Sequence, residues 1–207
     1  MHEFTPWAKT ARLFRPIVVT EKLDGTNSAI HISQASSFEI PENSTAVTVD
    51  GTVYILTAQS RKRIITPGKT TDNYGFAGWV YDNAEALVRL LGEGLHFGEW
   101  WGQGIQRRYD MESRVFSLFN TEWYDHLNHD DAAVFGDTRI NTVPILYTGT
   151  FNEVQIKAVL QDLQENGSYA APGFMNPEGI CIYHTQTRGV FKVTLDNQDA
   201  GKWEAAA

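Results

Sequence analysis

The chain contains a single cysteine, Cys181, so it cannot form an intramolecular disulfide or a zinc site built on several cysteines. It also lacks an uninterrupted apolar run of about 18 residues, which a membrane-spanning helix would need. Its N-terminus does not resemble a basic and apolar secretory leader. From these absences we expect a cytoplasmic protein, since thiols remain reduced there.

An excess of basic residues is also missing, because the formal net charge is −8. This argues against a broadly basic surface for nucleic acid, whose phosphates attract cations. The charges are unevenly distributed, however. Residues 1–70 hold eight Lys or Arg against six Asp or Glu, whereas the remainder holds nine against nineteen. Any polynucleotide site should therefore be a narrow electropositive groove with a strong dependence on salt.

Short segments rich in β-branched and aromatic residues alternate with turn formers, and we predict that they are strands. The turn formers Asp50 and Gly51 separate two of them and predict a tight hairpin, because both residues tolerate positive φ. The predicted strands are Pro16–Lys22, Thr45–Val49, Val53–Ala58, Leu95–Trp101, Val115–Asn120, Val143–Tyr147, Gly179–His184 and Val190–Leu195.

Two other stretches repeat apolar residues at helical spacing. The first runs from Phe76 to Leu91, and the second lies between Asn152, a plausible N-cap, and Gly167, a plausible stop. Many strands with few helices indicate an α+β fold built on antiparallel sheets. We expect a single domain over residues 1–207.

The sharpest local feature is the segment 21–27, Glu-Lys-Leu-Asp-Gly-Thr-Asn, directly after an apolar strand. A lysine at the end of a buried strand can lose its charge through desolvation and nearby cations, which makes Lys22 a candidate nucleophile. Gly25 allows the chain to turn close to a ligand. Taken alone, the segment is better explained as an ordinary turn after a strand.

Five further elements follow this segment in a characteristic order. They are Gln59–Arg63, His96–Gly102, Phe116–Asn120, Pro177–Ile182 and Val190–Thr194. Together the six elements resemble the covalent nucleotidyltransferase superfamily of DNA ligases, RNA ligases and mRNA capping enzymes. The resemblance implies a nucleotidyltransferase domain of ATP-grasp-like architecture, with two antiparallel sheets flanked by helices and the nucleotide in the groove between them.

The resemblance also implies a role for several side chains. Lys22 would attack ATP and carry AMP as a covalent lysyl-AMP. Arg61, favoured over Arg63 by the family pattern, would bind a sugar or phosphate oxygen. Glu99 would accept hydrogen bonds from the ribose hydroxyls, and Phe119 would stack on adenine. Taken singly, each of these residues also suits a turn, a tight loop or an apolar core.

The remaining implied site residues bind the nucleotide or its metal ion. Glu178 would hold Mg²⁺ or Mn²⁺, directly or through water, because such ions prefer oxygen ligands. Lys192 would neutralise the α-phosphate and is, with Lys22, the second predicted catalytic residue. Glu21 and Asn27 are predicted to contact the nucleotide. A surface acid and a lysine at a strand edge are the plain alternatives for Glu178 and Lys192.

Within the superfamily, several residues resemble the bacteriophage nick-sealing RNA ligases. They are the pair Ser60-Arg61 and the pattern Gly98-Glu99-x-x-Gly102, while Asn27 stands where many RNA ligases carry asparagine. Only residues 193–207 follow Lys192, so we expect no C-terminal OB-fold domain. The expected activity joins RNA ends bearing 5′-phosphate and 3′-hydroxyl groups, in the host cytoplasm if the chain is viral. Alternatives are a minimal DNA or mixed-substrate ligase and a non-sealing protein that binds nucleotide or RNA ends.

Two positions depart from the family pattern. Thr194 stands where a second lysine is expected, on the same strand face as Lys192, and a hydroxyl brings no charge. Arg188 or Lys202 could supply the missing cation. Asn120 stands where aspartate is common, which leaves its support of the stacking strand open.

Three further features have plain interpretations. The loop Asp125–Asp131 holds two histidines but is best explained as a solvated acidic loop. The pair Arg107-Arg108 could contact a nucleic-acid backbone or simply lie at the surface. Tryptophans such as Trp79, Trp100 and Trp101 could stack on bases, although core packing is their commoner use.

Overall fold

The computed structural model describes residues 3–35, 39–128 and 132–196. Within these ranges the chain forms twelve strands and three α-helices, a mixed α and β fold with few helices. None of these helices is long and apolar enough to span a membrane. In chain order the elements are β1 (Pro16–Lys22), β2 (Thr26–Gln34), β3 (Thr45–Val49), β4 (Thr52–Ser60), β5 (Ile64–Ile65), α1 (Phe76–Asp82), α2 (Ala84–Leu91), β6 (Gly94–Gly102), β7 (Arg114–Leu118), β8 (Ala133–Phe135), β9 (Thr138–Thr142), β10 (Ile145–Thr150), α3 (Glu153–Asn166), β11 (Gly179–His184) and β12 (Gly189–Thr194).

The chain divides into two compact units. Unit 1 comprises the described parts of Met1–Lys22, Ile145–Tyr169 and Met175–Ala207, and unit 2 comprises Leu23–Pro144 and Ala170–Phe174. The boundary between them falls inside the predicted lysine motif, directly after Lys22. The expectation of one domain over residues 1–207 remains a prediction.

Unit 1 is an antiparallel sheet with one face covered by α3. Its strand order is β10-β1-β11-β12, and every neighbouring pair is antiparallel. Asn152 caps α3 as predicted, since its side chain accepts hydrogen bonds from two backbone amides of the first turn. Gly167 ends the helix with a positive φ of 82°, also as predicted. The buried apolar residues of this unit are Ile17, Val19, Ile156, Leu163, Ile180 and Ile182.

Unit 2 is an eight-stranded sheet packed on α1 and α2. Its main order is β3-β4-β2-β6-β7-β9-β8, with β5 paired to β4. The prediction of antiparallel sheets is wrong for one pair, because β7 and β9 are parallel. Residues 119–137 lie between these strands and are long enough for the crossover that a parallel pair requires. The core of the unit includes Ile30, Leu56, Phe76, Val80, Leu87, Trp100, Phe116 and Ile140.

Three element predictions differ from the structure in informative ways. The strand Thr26–Gln34 was not predicted, because its polar residues break the strict alternation that marks a half-buried strand. The helical stretch from Phe76 forms two helices separated at Asn83, whose side chain donates to the Trp79 carbonyl. The segment predicted at 143–147 is interrupted at Pro144, which lacks the amide that a strand ladder needs.

The predicted Asp50-Gly51 hairpin turn is confirmed. Both residues have positive φ, 49° and 82° respectively, and they connect the antiparallel strands β3 and β4. This conformation suits the right-handed twist of the two strands. Local sequence was therefore sufficient to define the register of this hairpin.

A buried histidine stabilises one end of β6 in unit 2. His96 is only 2% exposed, and its Nε2 lies 3.0 Å from the Gly92 carbonyl oxygen. Because a carbonyl only accepts, Nε2 carries the proton, and Nδ1 accepts from the Tyr124 hydroxyl at 2.5 Å. Burial lowers the pKa of His96 from its ordinary value of 6.5, and the positive potential of His31 lowers it further, against the opposing hydrogen bond to Gly92.

We predict that stability falls as the pH drops below 6.5. The unfolded chain takes up a proton on His96 near that pH, whereas the folded chain resists it, so each step toward lower pH favours unfolding until the folded pKa is passed. Denaturant unfolding at several pH values from neutral to mildly acidic gives the slope of the free energy of unfolding against pH. This slope should be smaller for His96→Gln than for the wild type. His126→Gln, a change at an exposed histidine, should retain the wild-type slope. Equal slopes for all three proteins would contradict the prediction.

Candidate active site

Strand β1 presents Lys22 on the face of the unit 1 sheet that does not carry the α3 core. Side chains alternate along a strand, so Ile17 and Val19 point into that core while Thr20 and Lys22 point to the other face. The Lys22 side chain retains 23% of its exposure. The amine therefore lies at the end of a buried strand and is still accessible, as the sequence predicts.

The partner of Lys22 is Glu178, which is 156 residues distant in the chain. Lys22 Nζ donates to Glu178 Oε2 at 2.5 Å, and the carboxylate side chain is only 14% exposed. The pairing follows from the register of β1 on β11, which places Lys22 opposite Gly179. Desolvation and nearby cations can reduce the charge of such a lysine, whereas the salt-bridge partner of Lys22 in this unit is a carboxylate.

Gly179 is required for this arrangement. Its φ is +149°, and a Cβ at this position would lie 2.2 Å from the Val193 carbonyl oxygen of β12. Both facts exclude a side chain without a shift of the backbone. The glycine thus lets β12 approach closely and sets the position at which Glu178 enters the sheet.

Lys192 lies on the same face of the sheet as Lys22. It is opposite Cys181 on β11, and Cys181 is in turn opposite Thr20 on β1. Directly paired residues share a face, so two lysines project from one surface of unit 1. The side chain of Lys192 is exposed and makes no hydrogen bond or ion pair with the residues that the structure describes. Thr194, two residues further, is only 7% exposed.

Glu21 has a different environment from its neighbour Lys22. It is only 1% exposed, and its two carboxylate oxygens accept hydrogen bonds from the Ser168 hydroxyl at 2.6 Å and the Tyr169 amide at 2.9 Å. The carboxylate points to the opposite face of β1 and holds the segment that follows α3. A nucleotide contact through this side chain remains a prediction that the geometry of unit 1 does not favour.

In unit 2, Glu99 holds the segment that follows Lys22. Its Oε1 accepts from the Gly25 amide at 3.0 Å, and its Oε2 accepts from the Asn27 side-chain amide at 2.7 Å. Asn27 and Glu99 are directly opposed on β2 and β6. Acceptance of a ribose hydroxyl by Glu99 remains a prediction. The sequence predicted both residues for the site and did not predict their contact.

A second set of contacts to this segment was missed by the sequence analysis. Arg107 Nε donates to Asp24 Oδ2 at 3.0 Å, and the Asp24 amide donates to the Tyr109 hydroxyl at 2.8 Å. Tyr109 is 1% exposed and packs edge-on against Trp101. The sequence contained a partial signal, the pair Arg107-Arg108 after a glycine-rich turn, but nothing in it indicated an acidic partner 83 residues away.

The basic turn after β4 contains the predicted Arg61. Its neighbour Arg63 donates through a guanidinium nitrogen to the Thr71 carbonyl at 3.1 Å, which occupies it within the turn. Arg61 is exposed and makes no hydrogen bond or ion pair among the described residues. The preference for Arg61 over Arg63 as a ligand-binding residue remains a prediction.

Phe119 follows β7 and is 44% exposed, so it is not a core residue of unit 2. Its amide donates to the Phe97 carbonyl at 3.0 Å, which places it beside β6. The adjacent Asn120 accepts from the Trp123 amide through Oδ1, so the amide side chain begins a turn where the family often has aspartate. The plain interpretation of Phe119 as core is therefore wrong, and adenine stacking remains a prediction.

The tryptophans proposed as alternatives for base stacking are core residues. Trp79, Trp100 and Trp101 are at most 9% exposed, and Trp79 stacks on Trp100 with ring centroids 5.2 Å apart. Trp101 Nε1 donates to the Ser117 hydroxyl on the neighbouring strand β7 at 2.8 Å. Core packing, which the sequence analysis favoured, is confirmed.

The remaining sequence candidates contribute no metal centre in the described residues. His129 and the two aspartates after it lie outside the described residues, as does Lys202. Elsewhere in the described ranges no group of three or more His, Cys, Asp or Glu side chains could hold a metal ion. Arg188 is exposed in the turn between β11 and β12, with φ of 54°.

The fold of the chain is similar to that of solved RNA ligases. A variant of the Naegleria gruberi RNA ligase with AMP and Mn superposes with a TM-score of 0.56 at 17% identity, covering 89% of this chain and 51% of that one. A variant with ATP and Mn gives 0.54 at 16%, covering 88% and 49%. The same ligase with pyrophosphate gives 0.54 at 18%, covering 90% and 52%. The chain thus spans about half the length of these structures.

The sequence matches the RNA ligase family over residues 15–194, and the chain belongs to this family. The match includes every residue that the sequence analysis placed in the site. A comparison with curated protein sequences found no match.

Proposed function

We propose that the chain is an ATP-dependent RNA ligase that works through a covalent lysyl-AMP. The observation that carries the proposal is the 2.5 Å contact between Lys22 Nζ and Glu178 in a chain of the RNA ligase family. Nζ attacks the α-phosphorus of ATP, so a nitrogen–phosphorus bond forms as the bond to pyrophosphate breaks. AMP then passes to the 5′-phosphate of RNA, and a 3′-hydroxyl displaces it to join the two ends.

The chain's other site residues have separate tasks in this scheme. Lys192 approaches the α-phosphate from the Lys22 face of the unit 1 sheet and offsets its developing charge. Phe119 stacks on adenine, while Arg61 binds a sugar or phosphate oxygen. Glu99 holds the loop after Lys22 and accepts a hydrogen bond from a ribose hydroxyl.

The residues fit a divalent cation that arrives with the nucleotide. Magnesium is commonly held by one or two carboxylates together with substrate phosphates and water. Glu178 supplies one such carboxylate in unit 1, and the described residues offer no larger ligand cluster. Mg²⁺ or Mn²⁺ bound there would neutralise phosphate charge. The related Naegleria structures contain AMP with Mn in one case and ATP with Mn in another, which supports this proposal.

Several finer features belong to the same proposal. Asn27 supports an RNA ligase over a DNA ligase. The Ser60-Arg61 pair and the Gly98-to-Gly102 pattern support a nick-sealing enzyme of the bacteriophage type, acting on 5′-phosphate and 3′-hydroxyl ends. The architecture is proposed to be ATP-grasp-like. A minimal DNA or mixed-substrate ligase is the nearest alternative, and trials on RNA, DNA and hybrid nicks separate the two.

A second candidate function is supported by Thr194. The family's second lysine is absent there, and the threonine is buried, which suits a protein that binds nucleotide or RNA ends without sealing them. Such a protein would bind ATP noncovalently. Covalent transfer therefore distinguishes the two candidates.

The deciding experiment uses AMP-stripped protein with α-labelled ATP, and with α-labelled GTP in parallel, in the presence of Mg²⁺. We expect ATP to leave a covalent label that survives a denaturing gel and is chased onto 5′-phosphorylated RNA. GTP should label poorly, and inclusion of pyrophosphate should remove the label by reversal. Noncovalent ATP binding without any label would reject the ligase proposal and favour the binding protein.

A further inference from the structure

The unit 2 sheet has a partly exposed face opposite its helical core. Four residues on neighbouring strands form a row across this face: Ile64 on β5, Gln59 on β4, Ala29 on β2 and Phe97 on β6. Each is the direct cross-strand partner of the next. We call these four residues the Phe97 row. Ile64 and Phe97, at the two ends of the row, are each 51% exposed, whereas Ala29 between them is only 1% exposed.

Phe97 is an exposed aromatic ring without an aromatic partner. It lies beside Phe119, whose amide donates to its carbonyl, yet neither ring makes a ring–ring contact in the described part of the chain. Other exposed groups on the same face are His31 and Leu95, a directly opposed pair one row further. This end of the sheet thus presents flat aromatic and apolar surface next to the proposed adenine-stacking residue.

A cluster of cations lies at the other end of the row. Arg61, Lys62, Arg63 and Lys69 fall within nine residues, and the sequence from 61 to 71 contains no Asp or Glu. Lys62 and Lys69 are exposed, like Arg61. In a chain of net charge −8 this segment is locally positive. Gln59 is two strands from Phe97, roughly 10 Å away. The segment of residues 61–69, which we call the basic turn, begins just beyond Gln59.

We propose that the Phe97 row and the basic turn bind an unpaired stretch of RNA, with a base stacked on Phe97 and phosphates on Lys62 and Lys69. Stacking surfaces flanked by cations are the general means of holding single strands, because every base has a flat face and every linkage has a charge. The inference rests on the proposed function in naming RNA as the substrate, and the unpaired stretch is a part of that RNA outside the paired nick. It adds a binding surface in unit 2 that does not include Lys22.

The test measures binding of a short fluorescein-labelled oligoadenylate RNA by anisotropy, without ATP and at several salt concentrations. Phe97→Leu keeps the apolar volume but removes the ring, and should weaken binding by about 5-fold to 100-fold with an unchanged salt slope. Phe97→Tyr should bind as the wild type does. Lys62→Ala should make the slope of log K against log salt shallower by about 0.7, the value for one phosphate of a single strand.

Two controls distinguish base stacking on Phe97 from a general effect of losing an exposed ring. Phe4→Leu alters another exposed phenylalanine, 89% exposed, and should leave binding unchanged. A fully paired RNA duplex of the same length should be insensitive to Phe97→Leu, because its bases cannot stack on a side chain. Equal loss in the Phe4 variant, no loss in Phe97→Leu, or absence of RNA binding by the wild type would each overturn the inference.

Label transfer from ATP is measured on the same variants. Phe97→Leu should take up label as the wild type does, and a parallel fall would assign Phe97 to the nucleotide pocket and overturn the inference. If Phe97→Leu sedimented differently from the wild type in the absence of RNA, the face would be assigned to self-association and the inference would be overturned. A wild type that binds RNA through Phe97 but takes no label would reject the ligase proposal and leave the RNA surface standing.

Discussion

Lys22→Ala should abolish covalent labelling by ATP, a loss of more than about 1,000-fold, because the variant lacks the amine that forms the bond to phosphorus. The structure gives the amine its setting, at the end of β1 and 2.5 Å from Glu178. The change removes a partly exposed side chain and should leave the fold intact. Gel-based label transfer under conditions that label the wild type measures the effect directly.

The matched control for this prediction is Lys157→Ala. Lys157 is exposed on α3, in the same unit and on the helical side of the sheet, and its loss should leave labelling at the wild-type level. Lys22→Arg keeps the positive charge without a usable nucleophile and should be as inactive as the alanine variant. Labelling that persists in Lys22→Ala would place the nucleophile elsewhere and reject the proposed mechanism.

Gly25→Ala should be a strongly damaging small substitution in the site. A Cβ at Gly25 would lie 2.4 Å from the Trp100 carbonyl oxygen and 2.7 Å from the Trp101 Cβ, both parts of the buried strand β6. The loop must therefore shift, which lengthens the hydrogen bond from the Gly25 amide to the Glu99 carboxylate. A displacement of about 1 Å at a catalytic segment can cost roughly 100-fold in rate. We expect such a loss in label transfer and about 1–3 kcal/mol in stability.

Gly78→Ala is the control for this substitution. Gly78 lies within α1, and an added Cβ would meet its nearest atom, Asp72 Oδ2, at 3.5 Å, an ordinary contact. Alanine favours a helix over glycine by roughly 1 kcal/mol, so this variant should be as stable as the wild type or more stable, with unchanged labelling. If Gly25→Ala labelled as well as Gly78→Ala, the close approach of the loop to β6 would have no bearing on the chemistry.

Much of the fold was predictable from local sequence. The strands Pro16–Lys22, Thr45–Val49 and Gly179–His184 have the predicted bounds, and the Asp50-Gly51 turn and the Asn152 cap formed as expected. These features depend on neighbouring residues alone, through side-chain alternation, positive φ and a cap hydrogen bond. The parallel pairing of β7 with β9 was not predictable, because it depends on how a long connection returns to the sheet.

The candidate site shows the same division. Lys22, Glu99 and Glu178 were predicted from short motifs whose order resembles a known superfamily, and the structure brings Lys22 and Glu178 together. The environment of Glu21 was not predicted. The alternation of side chains along β1 can be recognised in the sequence, but nothing local indicates that the segment after α3 binds this carboxylate. The contacts of Arg107 and Tyr109 with Asp24 were also missed, because they join residues 83 and 85 positions apart in the chain.

The sequence by itself determined which residues carry the proposed chemistry and the local backbone around them, because nucleophile, turn and strand are encoded by adjacent residues. Only the tertiary structure decided their partners. Lys22 contacts a carboxylate 156 residues away, and Arg107 contacts one 83 residues away, through strand registers and loops that no local pattern specifies. Hydrogen bonds and ion pairs act over a few ångströms, so long-range contacts follow from how the strands pair and not from the order of the motifs.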